Sequence, residues 1–141
     1  MGRPGDLQYE AEILDLGSKL QVVATGLRKI EEGQQIEADE AEKLSWIAGV
    51  TKKIQDNFAP SRETSKELSM METKLAARFY KQVNLLQIPL DTGFSKRLYT
   101  TLASGGREFG LRREELKRAQ KLYQSMANSF LISFRGDNGQ L

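Results

Sequence analysis

The sequence predicts an all-α fold, a helical bundle of four long helices plus one short helix, and three observations carry that prediction. Apolar residues recur three and four positions apart through most of the chain, period-two alternation is essentially absent, and turn-forming clusters separate the periodic stretches. With 141 residues, 39% of them hydrophobic, the chain suits one domain that buries about two thirds of the surface its unfolded form exposes.

The first helix is expected over residues 6–32. Tyr9, Ile13, Leu16, Leu20, Val23, Leu27 and Ile30 are spaced 4, 3, 4, 3, 4, 3, an uninterrupted a/d alternation. Asp6 is the expected N-cap and Gly33 the stop. Gly17 and Gly26 lie inside this stretch, where a missing side chain permits close approach by another helix. Such a seam demands a partner, in the same chain or in another. The second helix is expected from Asp39, because Asp39 and Glu42 have capping-box spacing. Leu44, Ile47, Thr51, Ile54 and Phe58 share its apolar face, with Trp46 beside them, and Ala59-Pro60-Ser61 ends it. Ser61 is then the expected cap of a third helix over 62–87, whose apolar line is Leu68, Met71, Leu75, Phe79, Val83 and Leu86.

Asp91 caps an expected short helix over 92–104 that carries Phe94, Leu98 and Leu102 and closes at Ser104-Gly105-Gly106. The last helix, over 111–134, aligns Leu116, Ala119, Tyr123, Met126, Phe130 and Phe134, and Glu114 and Glu115 in its first turn suit the helix dipole. No Pro-, Gly- or Ser-rich linker divides the chain, so residues 1–141 read as a single helical domain with flexible tails at 1–5 and 135–141.

Composition excludes much chemistry. The chain has no Cys and no His, which removes disulfides, thiolate or imidazole metal sites, a cysteine nucleophile and the Ser-His-Asp arrangement. A non-catalytic protein without metal or cofactor is therefore expected. The acidic group Glu37, Asp39, Glu40 and Glu42 lacks EF-hand spacing and sits where a helix start favours negative charge. Ser95 and Lys96 are adjacent and so do not face each other on a helix. Ser104-Gly105-Gly106-Arg107 lacks the Gly-Lys-Ser/Thr ending of a phosphate-binding loop and reads as a plain turn. Arg135-Gly136-Asp137 reads as a chance match to an adhesion tripeptide, and Met70-Met71 and Phe130 with Phe134 read as core. No run reaches the roughly 18–20 apolar residues of a membrane span, and no signal-peptide core follows the N-terminus, so a soluble cytoplasmic protein is expected.

The net charge of +2 conceals an asymmetry. Residues 1–45 carry five cations against ten anions, whereas residues 46–141 carry sixteen against nine. The cations concentrate at Lys96, Arg97, Arg107, Arg112, Arg113, Lys117, Arg118 and Lys121, opposed only by Glu108, Glu114 and Glu115. Arg113, Lys117 and Lys121 follow at i, i+4 and i+8 and share a helix face, Arg112 and Arg118 flank it, and Arg97 and Arg107 lie near the glycine turn. Phosphate oxygens require fixed cations and hydrogen-bond donors, which such a face presents in a row. Tyr99, Phe109 and Tyr123 are interleaved and offer stacking surfaces for single-stranded bases. Two other readings compete: a solvated face neutralised by Glu114–Arg118 and Glu114–Lys117 pairs, or a face that meets an acidic protein surface, including the N-terminal part of another copy. A DNA-reading helix-turn-helix does not fit, because about six residues separate the two expected helices instead of three or four.

The expected function is a non-catalytic helical accessory subunit of a nucleoprotein assembly. Arg97, Arg107, Arg112, Arg113, Lys117, Arg118 and Lys121 would contact the phosphate backbone of single-stranded RNA or DNA without sequence specificity, while other faces meet protein subunits. In kind such a protein resembles the small helical subunits of RNA-guided effector complexes, although no motif carries the likeness and no residue role transfers. The alternative is a protein–protein or homo-oligomerisation module that uses the 9–30 seam and has no nucleic-acid role.

Overall fold

Among the described residues, most of the apolar positions that recur at helical spacing lie in helices. A computed structural model describes the backbone of residues 4–57 and 68–137 and the side chains of residues 8–57 and 68–131. Five helices follow in order, α1 (Pro4–Glu31), α2 (Ala38–Asn57), α3 (Met70–Leu85), α4 (Thr92–Ala103) and α5 (Arg113–Asp137), with no strand among the described residues. None of the described helices is long and apolar enough to cross a membrane.

The seam of α1 finds its partner in the same chain. Leu16, Leu20, Val23, Leu27 and Ile30 are buried, and Ile13 packs at the edge of the core. The main partner is α5, which runs antiparallel to α1: Glu31 lies beside Arg113 and Lys117 at one end, Gln21 and Gln124 exchange hydrogen bonds in the middle, and Gly17 meets Leu131 at the other. A Cβ on Gly17 would stand 3.1 Å from the Leu131 side chain, and one on Gly26 would stand 3.3 Å from Leu44 of α2. The two mid-helix glycines thus mark the approach of α5 and of α2. Gly33 takes φ +73° and ends the helix as expected.

α2 returns antiparallel along α1, joined by Lys29–Glu40 and by the Lys19 ammonium lying 4.9 Å over the Trp46 ring. α4 packs on α2, and α3 packs on α5 and α2, where Lys53 pairs with Glu72. Tyr123 of α5 is fully buried, and its hydroxyl shares a 3.0 Å hydrogen bond with Thr51 of α2 across the core.

Several element boundaries differ from expectation. α1 begins at Pro4, a residue that suits the first helical position because it lacks an N–H, so Asp6 lies inside the helix and is not its cap. α2 is capped two residues earlier than the Asp39/Glu42 spacing suggests. The Glu37 N–H donates to the Glu40 carboxylate at 3.0 Å, and Lys29 on α1 holds that same carboxylate in place. α3 starts at Met70 with a complete capping box between Ser69 and Glu72, so Leu68 precedes the helix and packs on the core from outside it. This leaves α3 with 16 residues, shorter than the expected 62–87. The expected breaker Ala59-Pro60-Ser61 and the Phe58 seam position lie outside the described residues, as does the Phe134 side chain. α4 carries the expected Asp91 cap, which accepts from the Phe94 N–H at 2.6 Å. α5 begins at Arg113 and continues through Asp137, so residues 4–5 and 135–137, the described parts of the expected tails, are helical.

Candidate nucleic-acid interface

The connection from α4 to α5 is built around one buried hydroxyl. Thr101 Oγ1 donates to the Arg97 carbonyl at 3.0 Å and accepts from the N–H groups of Gly110 at 2.9 Å and Leu111 at 3.0 Å. Gly110 fits so closely that a Cβ there would stand 2.6 Å from the Arg97 carbonyl oxygen. Before it, Gly105 and Gly106 take φ +63° and +84°, and lie against Ala41 of α2 and Ile30 of α1. The N–H groups of Gly105, Gly106 and Arg107 donate to the carbonyls of Leu102, Thr101 and Ser104. Those donors close the end of α4 and are not free to cradle an anion, so the segment is the plain turn the sequence suggests.

The seven cations expected at the interface divide into two groups. Arg97 reaches across to α5 and grips Glu115 with two hydrogen bonds, 3.2 Å and 2.6 Å. Arg113 and Lys117 lie 3.5 Å and 3.8 Å from the Glu31 carboxylate, which is only 12% exposed and also accepts from Gln120 at 2.9 Å. Arg107, Arg112, Arg118 and Lys121 are exposed and form no ion pair among the described residues. Neither of the intrahelical pairs expected to neutralise this face, Glu114–Arg118 and Glu114–Lys117, forms among the described residues. Lys117 turns instead to Glu31 of α1.

The carboxylates that receive these cations are shifted. The Gln120 hydrogen bond, followed by Lys117 and Arg113, lowers the Glu31 pKa against the opposing effect of burial. The Arg97 guanidinium does the same for Glu115, with the Arg112 N–H adding to it, and Glu115 in turn raises the Arg97 pKa. Among the described residues no group of three or more Asp and Glu converges to hold a metal ion. Within the acidic group at the start of α2, Glu40 is already taken by Lys29.

Of the three interleaved aromatics, two are available. Tyr99 is 41% exposed and Phe109 64%, whereas Tyr123 is enclosed in the core, where burial pushes its phenol pKa up. Tyr123 is therefore no stacking surface. Arg107 stands between the other two: it borders a depression of about 520 Å3 shared with Tyr99, Thr100 and Ser104, and another of about 530 Å3 shared with Phe109. A third depression of about 440 Å3 joins Lys121, Gln120 and Gln124 of α5 to Arg28 of α1. Arg28 was not expected here, because only the antiparallel pairing of α1 with α5 brings it to Lys121.

No family model, curated protein or solved structure matches the chain. Exposed guanidinium and ammonium groups attract phosphate oxygens, and outward-facing rings offer π faces.

Proposed function

We propose that the protein binds the phosphate backbone of single-stranded RNA or DNA, without sequence specificity and without catalysis, as a helical accessory subunit of a nucleoprotein assembly in the cytoplasm. The observation that carries this reading is Arg107 flanked by two exposed rings, Tyr99 and Phe109, with Arg112, Arg118 and Lys121 exposed nearby in the chain and unpaired among the described residues. Cations without an internal partner are the ones a polyanion can use, and rings beside them give sequence-tolerant stacking. Arg97, Arg113 and Lys117 contribute more weakly, because Glu115 and Glu31 already occupy them.

Binding of a labelled single-stranded oligonucleotide across a salt gradient tests the proposal. Four phosphate contacts predict a slope of about −3 in log affinity against log salt, at about 0.7 per contact. Absence of binding at about 50 mM salt by the folded protein would overturn the reading. Self-assembly through the 9–30 seam gains no support, since the central residues of that seam are buried against other helices of the same chain.

A further inference from the structure

We infer that the depression between the α1–α2 connection and the α4–α5 connection is a subsite for one unstacked nucleobase, which stacks on Phe109 while its phosphate meets Arg107. The inference rests on the proposed single-strand binding and adds to it that one base is held in a built cavity.

The cavity, about 530 Å3, has the size of a small-ligand pocket, typically about 300–1,000 Å3. One wall is Phe109, a large apolar side chain left 64% exposed although the core lies close by. Ile30 and Ile36 supply further apolar surface. The floor is the backbone of Gly105 and Gly106, set directly against α2 and α1 with no side chain between, and pinned by the N–H bonds that close α4. The floor belongs to a hydrogen-bonded turn, so little ordering of it is left for the ligand to impose.

The rim is polar in the manner a base requires. Gln34 donates one N–H to Glu32 at 2.9 Å, and among the described residues its carbonyl oxygen and both functions of the exposed Gln35 carboxamide have no partner. Paired donor and acceptor groups match the edge of a nucleobase. Arg107 supplies the cation for the adjoining phosphate, and Glu37, on the same rim, disfavours phosphate there and accepts from a base amino group. An aromatic ring and a cation bordering one cavity are the two elements of sequence-tolerant single-strand binding.

The test compares two oligonucleotides of equal length at one salt concentration, one with bases and one with an abasic sugar–phosphate chain. The wild-type protein is expected to bind the base-bearing strand about tenfold more tightly. Phe109→Ala should abolish that preference while leaving the salt slope unchanged, and Phe109→Tyr should restore it. Arg107→Ala should weaken both strands alike. Equal wild-type affinity for the two strands, or a preference that survives Phe109→Ala, overturns the base subsite and leaves backbone binding standing. Failure of the wild-type protein to bind either strand overturns both.

Discussion

The edge of α5 that faces α1 and the connection that precedes α5 carry the same kinds of cation and use them in opposite ways. Arg113 and Lys117 project toward Glu31, a nearly buried carboxylate from the acidic N-terminal part of the chain, whereas Arg107 and Arg112 form no ion pair among the described residues, although Arg112 still acts on Glu115 through space. The difference comes from what lies opposite each group, not from local sequence. Part of the charge asymmetry is thus consumed inside the molecule, where acidic α1 neutralises one edge of basic α5. The connection keeps its positive charge available.

The sites differ in what their loss would cost. Two of the available cations, Arg107 and Arg112, lie on a connection whose shape is set by Thr101, so the largest effect is expected from removing its hydroxyl. Thr101→Val keeps the volume but leaves the buried N–H of Leu111 and the part-buried N–H of Gly110 without an acceptor, which should cost about 3 kcal/mol in chemical denaturation. A loss under about 1 kcal/mol would mean that water satisfies those groups and that Thr101 does not set the connection. Next comes the split among the cations themselves. Replacing Arg107, Arg112, Arg118 and Lys121 together by Ala should reduce oligonucleotide affinity about a hundredfold at low salt and flatten the salt slope by about 3. Replacing Arg113 and Lys117 should do far less. Equal effects from the two sets would erase the distinction between occupied and available cations.

Helix existence was legible in the sequence because the apolar period is local information. The a/d positions of α1, the Asp91 cap and the Gly33 stop could all be read from neighbouring residues. Apart from α1, which starts at Pro4, the helix starts that were misplaced are those where a distant cation meets the capping carboxylate. Glu40, Glu72 and Glu115 each stand third in their helix, accept from the N–H of the residue that precedes it, and also take a cation from another helix: Lys29, Lys53 and Arg97. Asp39/Glu42 has the same local spacing as Glu37/Glu40, and only Lys29 distinguishes the two. The site was legible as a concentration of charge. Its division into occupied and available groups was not, because Glu31 lies 82 residues before Arg113 in the chain. Nor could interleaving reveal that Tyr123 points inward while Phe109 points outward.

Those helix-start carboxylates give the comparison a pH axis. Each has a pKa below its ordinary value: Glu72 chiefly through the Ser69 N–H, Glu40 through Lys29 and Glu115 through Arg97. Each binds its proton less readily in the folded chain than in the unfolded one. The stability it adds is therefore fully present above the ordinary glutamate value of about 4.3 and is lost as the pH falls through the lower folded value. Glu115→Gln should accordingly be less stable than wild type at neutral pH, and the gap should close in acid. A gap that stays constant from pH 7 to pH 3 would show that the carboxylate's charge contributes nothing at that helix start.

The smallest effect expected is the one that addresses the occupied edge most directly. Glu31 keeps Arg113 and Lys117 from a polyanion by offering them a carboxylate fixed by Gln120. Glu31→Gln keeps a polar side chain of the same size while removing the charge that attracts both cations. If the two regions differ only in whether an internal carboxylate is present, this one change should make the α1-facing edge behave like the connection. Oligonucleotide affinity should then rise a few-fold at low salt, the salt slope should steepen by about 1, and the gain should vanish at high salt. An unchanged slope would mean that Arg113 and Lys117 are directed away from the bound strand for reasons of geometry, and that Glu31 stabilises the α1–α5 pair without regulating what the pair can bind.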